Sequence, residues 1–341
     1  MTETEKLQQY KQLQNGNMVS GVSLTGVPGE PLSLREDEAA DIARGFLVWL
    51  CKKAGKKPQE LTLAIGRDPR GSGPRLLDGL MDGFGPYGCK VYECGLASTP
   101  AIFMATAFPE FACDASVMIT ACSKPWNRNG FRFFTPDGSL DKEDISFILE
   151  SAADAGSWQA LGEPVNTDGA THRLGKIVFE AEKADIMSPY SEHLRRLIIR
   201  GTHVSTGDKP LTGMKIVVDA SNGNGGFFAR KVLKPLGADI RDSQFLEPDP
   251  MFENHAPDPD DKEAMQAISM LALQTGADLG ILFDTDVYRS AVVDSKGWEI
   301  DSAAIAKASD LQENYNMDDG AYRATKIIIQ TANERGGHKH E

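Results

Sequence analysis

Short apolar runs that stop at polar, glycine-rich loops and alternate with helix-periodic stretches constrain this chain more than any other feature. Leu61–Ile65 is one such run and ends at Gly66-Arg67-Asp68-Pro69. Pro74–Phe84 then carries the 3.6-residue spacing of a helix, with Leu76, Leu77, Leu80 and Met81 on one face. Lys90–Cys94, Ala115–Thr120, Lys215–Val218, Asp239-Ile240 and Leu279–Phe283 read as further strands. The stretches Phe227–Leu233 and Glu263–Thr275 read as helices, the second with Ile268, Leu271, Ala272 and Thr275 aligned. Strand–helix alternation of this kind predicts an α/β fold with mostly parallel, helix-covered sheets. In such sheets ligands sit at the carboxyl ends of strands, where these polar loops fall.

The length, 341 residues, suits about two domains. A polar, glycine-rich stretch, Gly156–His172, precedes Ala181–Leu197, whose spacing is helical with Pro189 in its middle, and the boundary is placed near Ile186. Segment Asp310–Glu341 is polar until Lys326–Ile329, and its His338 and His340 read as a frayed, solvated end rather than a metal pair. A net charge of −13 argues against general phosphate-backbone binding, so no nucleic-acid partner is expected. No apolar run approaches the roughly 20 residues that span a bilayer, so no membrane role is expected. Cys51, Cys89, Cys94, Cys113 and Cys122 lack paired metal-site spacing and predict free thiols in a reducing compartment. Met1–Gln14 resembles neither a secretory nor a transit segment. A cytoplasmic location is expected, or a plastid one if a transit segment has been removed.

Two loops carry chemistry. Thr120–Arg132 follows an apolar strand and offers a thiol, a hydroxyl, two side-chain amides and three cations, which suits an anionic substrate. Asp284-Thr285-Asp286 follows Leu279–Phe283, and its two carboxylates can reach one hard cation such as Mg²⁺. Each loop alone also reads as a turn capped by Asp and Ser.

Taken together, the loops resemble those of the α-D-phosphohexomutases, the phosphoglucomutase/phosphomannomutase family, and the likeness runs from about Leu13 to Ser302. Leu13-Gln14-Asn15-Gly16 with Gly21 is similar to the family's opening loop. Gly66-Arg67-Asp68-Pro69-Arg70 with Ser72-Gly73 matches GRDxRxSG, and Gly95–Pro100 matches the G-x-x-(S/T)-T-P turn. Thr120–Arg132 is similar to the phosphoserine loop and Asp284–Arg289 to the magnesium loop, D-x-D-x-D-R. The resemblance implies two α/β/α domains with mostly parallel mixed sheets, 1–186 and 187–301, followed by a divergent tail, 302–341. It also implies phosphoryl transfer between a phosphoserine and a hexose phosphate, assisted by Mg²⁺ held on three aspartates.

Laid on these motifs without gaps, the chain departs at the chemical positions. The phosphoserine falls on Cys122 and the next residue is Ser123. The loop lysine is Arg132, the third metal aspartate is Tyr288, and the arginine of the opening loop is Ser20. The resemblance therefore carries catalytic roles to Cys122, Ser123 and Arg132. Substrate contacts pass to Ser20, Asn129, Gly130 and Arg289, and metal ligation to Asp284 and Asp286. A thiolate is a competent nucleophile, but an arginine is a poor general base, and two carboxylates make a weak Mg²⁺ cage. The resemblance fades after Asp301, so the family's third and fourth domains have no counterpart in the remaining residues. The expected function is that of a degenerate phosphohexomutase with weak or no mutase activity, Mg²⁺ weak or absent, and a binding or regulatory role beside a protein partner or a full-length relative. The alternative is an active phosphotransferase on hexose phosphates that uses Cys122 or Ser123 and is completed by a partner chain.

Overall fold

The computed structural model describes residues 2–165, 171–173, 176–179, 181–203, 209–301 and 318–337. His338 and His340 therefore lie outside the described residues. The chain divides into two compact units, Met1–Gly95 with Ile102–Ala184, and Leu96–Ala101 with Asp185–Glu341.

The first unit is built on one mixed sheet. Its strands are β1 (Gln14–Asn15), β2 (Met18–Val22), β3 (Thr62–Arg67), β4 (Lys90–Leu96), β5 (Ala115–Ile119), β6 (Arg128–Thr135) and β7 (Gly138–Ser139). The sheet order is β1-β2-β6-β5-β3-β4, with Glu182–Lys183 beyond β4 and β7 on β6. β3 and β5 pair parallel, as alternation predicts. The other flank is antiparallel, β2 to β6 and β6 to β5, so the parallel share is smaller than expected. The difference arises at β6. Its Arg128, Asn129 and Arg132 read as loop chemistry, yet Phe131 and Phe133, alternating with Arg128 and Arg132, point into the core.

Helices α1 (Glu3–Lys11), α2 (Glu36–Ala54), α3 (Gly73–Phe84), α4 (Thr99–Met104) and α5 (Lys142–Ala153) follow in chain order. In α2, Ala39, Ile42, Ala43, Phe46, Leu47 and Leu50 recur at helical spacing and are buried. The Phe46 ring lies 4.6 Å from that of Phe133, tying the helix to β6. Small residues set the helix separation. A Cβ on Gly83 of α3 would come within 2.4 Å of Ala43 Cβ, so only glycine permits this approach.

The second unit holds β11 (Ile216–Asp219), β12 (Leu279–Phe283) and β13 (Ser290–Asp294), which follow the short strands Thr171–Arg173 (β8), Lys176–Val178 (β9) and Glu182–Lys183 (β10). β11 and β12 pair parallel, and β13 returns antiparallel. The expected strand at Asp239-Ile240 amounts to one bridge between Lys215 and Asp239. Around the sheet lie α6 (Met187–Gly201), α7 (Lys262–Thr275) and α8 (Gly320–Gly337). The expected helix Ala181–Leu197 instead starts at Met187, with Glu182–Lys183 extended. Pro189 thus falls in the first turn of α6, where its missing N–H breaks no hydrogen bond.

α8 comes from the segment read as a divergent tail. Its Ala321, Ala324, Ile327 and Ile328 are buried. Asp319 caps its start by accepting from Tyr322 N at 2.8 Å and from the buried Tyr190 hydroxyl at 2.6 Å. Burial pushes the Asp319 carboxyl up to about 6. Among the described residues, no helix is long and apolar enough to cross a membrane.

Candidate functional site

In the first unit the site is the loop that joins β5 to β6. Lys124 N donates to Ala121 O at 3.1 Å, closing a turn with Cys122 and Ser123 at its tip. Cys122 has φ +52°, a left-handed conformation that costs a non-glycine residue about 1–3 kcal/mol. The surroundings hold it there. Cys122 N donates to the Thr120 hydroxyl at 2.9 Å, and Cys122 O accepts from the Arg70 guanidinium.

Arg70 organises the whole loop. It is fully buried, pairs with buried Asp68 at 2.9 Å, and donates to Pro125 O at 2.6 Å, Lys124 O at 2.8 Å and Arg128 O at 3.0 Å. Asp68 in turn accepts from Thr120 Oγ1 at 2.8 Å and from Arg70 N at 3.1 Å. Five guanidinium donors against one carboxylate and four carbonyls is a near-complete use of arginine's planar fork. The sequence motif contains Asp68 and Arg70, but sequence reasoning misses their role. The signal was an Asp-x-Arg directly after an apolar strand.

The residues read as substrate contacts have varied fates. Asn129 is fully buried, with Nδ2 donating to Ser72 Oγ at 2.9 Å and Oδ1 accepting from Gly130 N at 2.9 Å. Its amide serves the scaffold. Gly130 is required by crowding, since a Cβ there would meet Val19 O at 1.9 Å. Both therefore build the site rather than face it. Ser20 pairs in register with Gly130 and lines an open depression of about 480 Å³ with Gln12, Glu30, Lys124 and Arg128. There Glu30 lies below its ordinary carboxylate range because the Asn127 amide and the Arg128 guanidinium donate to it. Arg132, 9% exposed, stands opposite Met118 on the sheet face away from Phe131 and Phe133.

In the second unit the site follows β12. Asp284 and Asp286 are fully buried. Asp284 Oδ1 accepts from Arg289 N at 3.1 Å, and Asp286 accepts from the hydroxyl of Thr99, whose N–H also donates to Asp286 O at 2.8 Å. Val287 holds φ +61°, braced by Gly320 N donating to its carbonyl at 3.0 Å. Ser290 Oγ donates to Gly320 O at 2.9 Å, so the start of α8 supports this loop. Arg289 reaches Asp258 at 2.6 Å and Asp260 at 2.5 Å, with its Nε 3.7 Å from Asp284. Burial works against its charge, but Asp284, Asp258 and Asp260 outweigh that and hold its pKa above the ordinary arginine value. The glycine-rich turn after β11 packs beneath: Asn224 N donates to Thr285 O at 2.7 Å and Ser221 Oγ to Phe283 O at 2.7 Å.

The groups in this loop suited to Mg²⁺ are the buried carboxylates of Asp284 and Asp286. Both already accept hydrogen bonds, and Tyr288 stands between Val287 and Arg289 where a third could have been. Among the described residues, no group of three or more His, Cys, Asp or Glu has the arrangement of a metal site. Mg²⁺ usually keeps several of its waters and is held by one or two carboxylates together with substrate phosphate.

Comparison with known proteins agrees with the architecture of both units. Residues 26–159 match phosphoglucomutase/phosphomannomutase α/β/α domain I, and residues 188–297 match α/β/α domain II. The chain belongs to the phosphoglucomutase/phosphomannomutase family. It is 31% identical over 252 residues to a phosphomannomutase/phosphoglucomutase of Pseudomonas syringae, covering 73% of this chain and 48% of that protein. It is 31% identical over 325 residues to a phosphoglucomutase of Neisseria meningitidis, covering 92% of this chain and 62% of that protein. The crystal structure of a phosphoglucomutase/phosphomannomutase family protein from Burkholderia thailandensis shares the fold, with a TM-score of 0.69 at 21% identity, over 97% of this chain and 79% of that one. The chain thus spans about half to two-thirds of the length of the curated relatives it matches.

Proposed function

We propose that this chain is a phosphohexomutase-type protein with weak or no mutase activity, retained for binding or regulation around hexose phosphates. The observation that carries the reading is a contrast within one loop. The strained turn at Cys122 is held by Arg70, Asp68 and Thr120, while the resemblance sets Cys122, Ser123 and Arg132 at the family's chemical positions. On the resemblance, the Cys122 sulfur takes the place of the family's phosphorylated oxygen. Arg132 stays protonated and can hold phosphate, but it cannot take a proton at neutral pH. Ser20 brings no positive charge to the depression, leaving Lys124 and Arg128 to attract an anion, with Glu30 offsetting part of that pull. Mg²⁺ is expected to bind weakly, for want of donors around Asp284 and Asp286. Partial exposure of Cys122 supports a second reading, in which its sulfur or the Ser123 oxygen accepts a phosphoryl group with help from a partner chain.

The test is a mutase assay on glucose 1-phosphate and mannose 1-phosphate with supplied Mg²⁺. Turnover at background is expected, and Cys122→Ala should leave it there. Steady isomerisation that disappears in Cys122→Ala would replace the first reading with the second.

A further inference from the structure

Beneath the aspartate loop, the second unit buries a charged pair that plays no part in the proposed function. Asp219 ends β11 and is fully buried. The His255 ring, only 6% exposed, places Nε2 3.0 Å from Asp219 Oδ2 and Nδ1 2.9 Å from Ala256 O. A backbone carbonyl and a carboxylate facing the two ring nitrogens suit a ring that carries hydrogen on both. The Asp219 carboxylate also accepts from Ser221 N at 2.8 Å and Gln244 Nε2 at 2.8 Å.

We propose that His255, as an imidazolium, is a proton-dependent strut that ties the end of β11 to the acidic segment whose carboxylates hold Arg289. The segment begins at Asn254, which donates to Asn222 Oδ1 at 2.6 Å, and runs through Asp258 and Asp260 to Asp261, the N-cap of α7. Asp258 and Asp260 are the carboxylates on Arg289. Anchoring His255 therefore fixes the counter-ions of the aspartate loop from below. The charged groups facing the ring are Asp219 from β11 and Asp261 from the head of α7, while the Phe245 ring meets it edge-on at 5.5 Å. Burial alone would lower the His255 pKa, but hydrogen bonding and charge from Asp219 outweigh it and raise it above its ordinary value. A raised folded-state value means that the strut contributes fully below the unfolded-state pKa of about 6.5 and is lost as pH rises through the folded-state value.

The test uses the full chain with ring-labelled histidine, and the His255 signal is assigned by its loss in His255→Gln. NMR titration should show both ring nitrogens protonated at pH 6 and a midpoint above that of an ordinary histidine. Asp219→Asn should move the midpoint down. Amide exchange over 256–261, corrected for its intrinsic pH dependence, should rise by about tenfold or more in His255→Gln at pH 6, the scale of one charge-assisted hydrogen bond. A singly protonated ring at pH 6, a midpoint that ignores Asp219→Asn, or unchanged exchange in His255→Gln would each overturn the proposal. If either variant fails to fold, His255 is assigned by elimination through single substitutions of the other five histidines, and the wild-type protonation state and midpoint decide.

Discussion

Arg70→Met is expected to lower the stability of the chain by about 3–5 kcal/mol, the cost of breaking a buried ion pair from one side. Arg70 and Asp68 are both fully buried. Removing the guanidinium leaves Asp68 uncompensated and strips donors from the carbonyls of Cys122, Lys124, Pro125 and Arg128. Methionine fills much of the volume, so the loss reports on charge and hydrogen bonding rather than on a cavity. The left-handed turn at Cys122 should relax at the same time, since its carbonyl loses an anchor. Urea unfolding of both forms gives the stability difference, and the alkylation rate of Cys122 below the transition reports the loop, with an increase expected in the variant. A loss under about 1 kcal/mol would rank the pair with exposed surface salt bridges and contradict this account of the loop.

Tyr288→Asp is expected to turn weak Mg²⁺ binding into binding that calorimetry resolves. The substitution adds a third carboxylate to a loop that already presents Asp284 and Asp286. Tyr288 is partly exposed, so the new charge can be solvated in the free protein. Arg289 works against the gain, because it already neutralises Asp284 from 3.7 Å. Tight, stoichiometric Mg²⁺ binding by the unmodified chain would mean that other donors complete the cage.

Much of this fold is legible in the sequence where one physical cause acts alone. Leu279–Phe283 reads correctly to the residue because an apolar run buried on both faces meets two carboxylates at its end. The 3.6 period of α3 and α7 is equally plain. β6 is hidden because its functional polar residues mask the alternation of Phe131 and Phe133. α8 is hidden because its apolar face, with Ile327 and Ile328, lies within a chain segment of polar composition. At the site, motif spacing locates both loops. It does not reveal that Asn129 and Gly130 are consumed by the scaffold, or that Arg70, Thr99 and His255 hold the loops in shape. Those roles depend on hydrogen bonds between residues far apart in sequence, such as Arg70 to Cys122 and Thr99 to Asp286.

In the proposed function the family's scaffold persists while its phosphoryl chemistry is lost at Cys122. Intact mass after incubation with a hexose bisphosphate and Mg²⁺ tests it most directly, because a phosphoryl group captured by the loop stays on the chain. The mass is expected to be unchanged by the incubation, in the wild type and in Cys122→Ala alike. A stoichiometric phosphate adduct on the wild type, absent from Cys122→Ala or from Ser123→Ala, would contradict it and show a working phosphoryl acceptor.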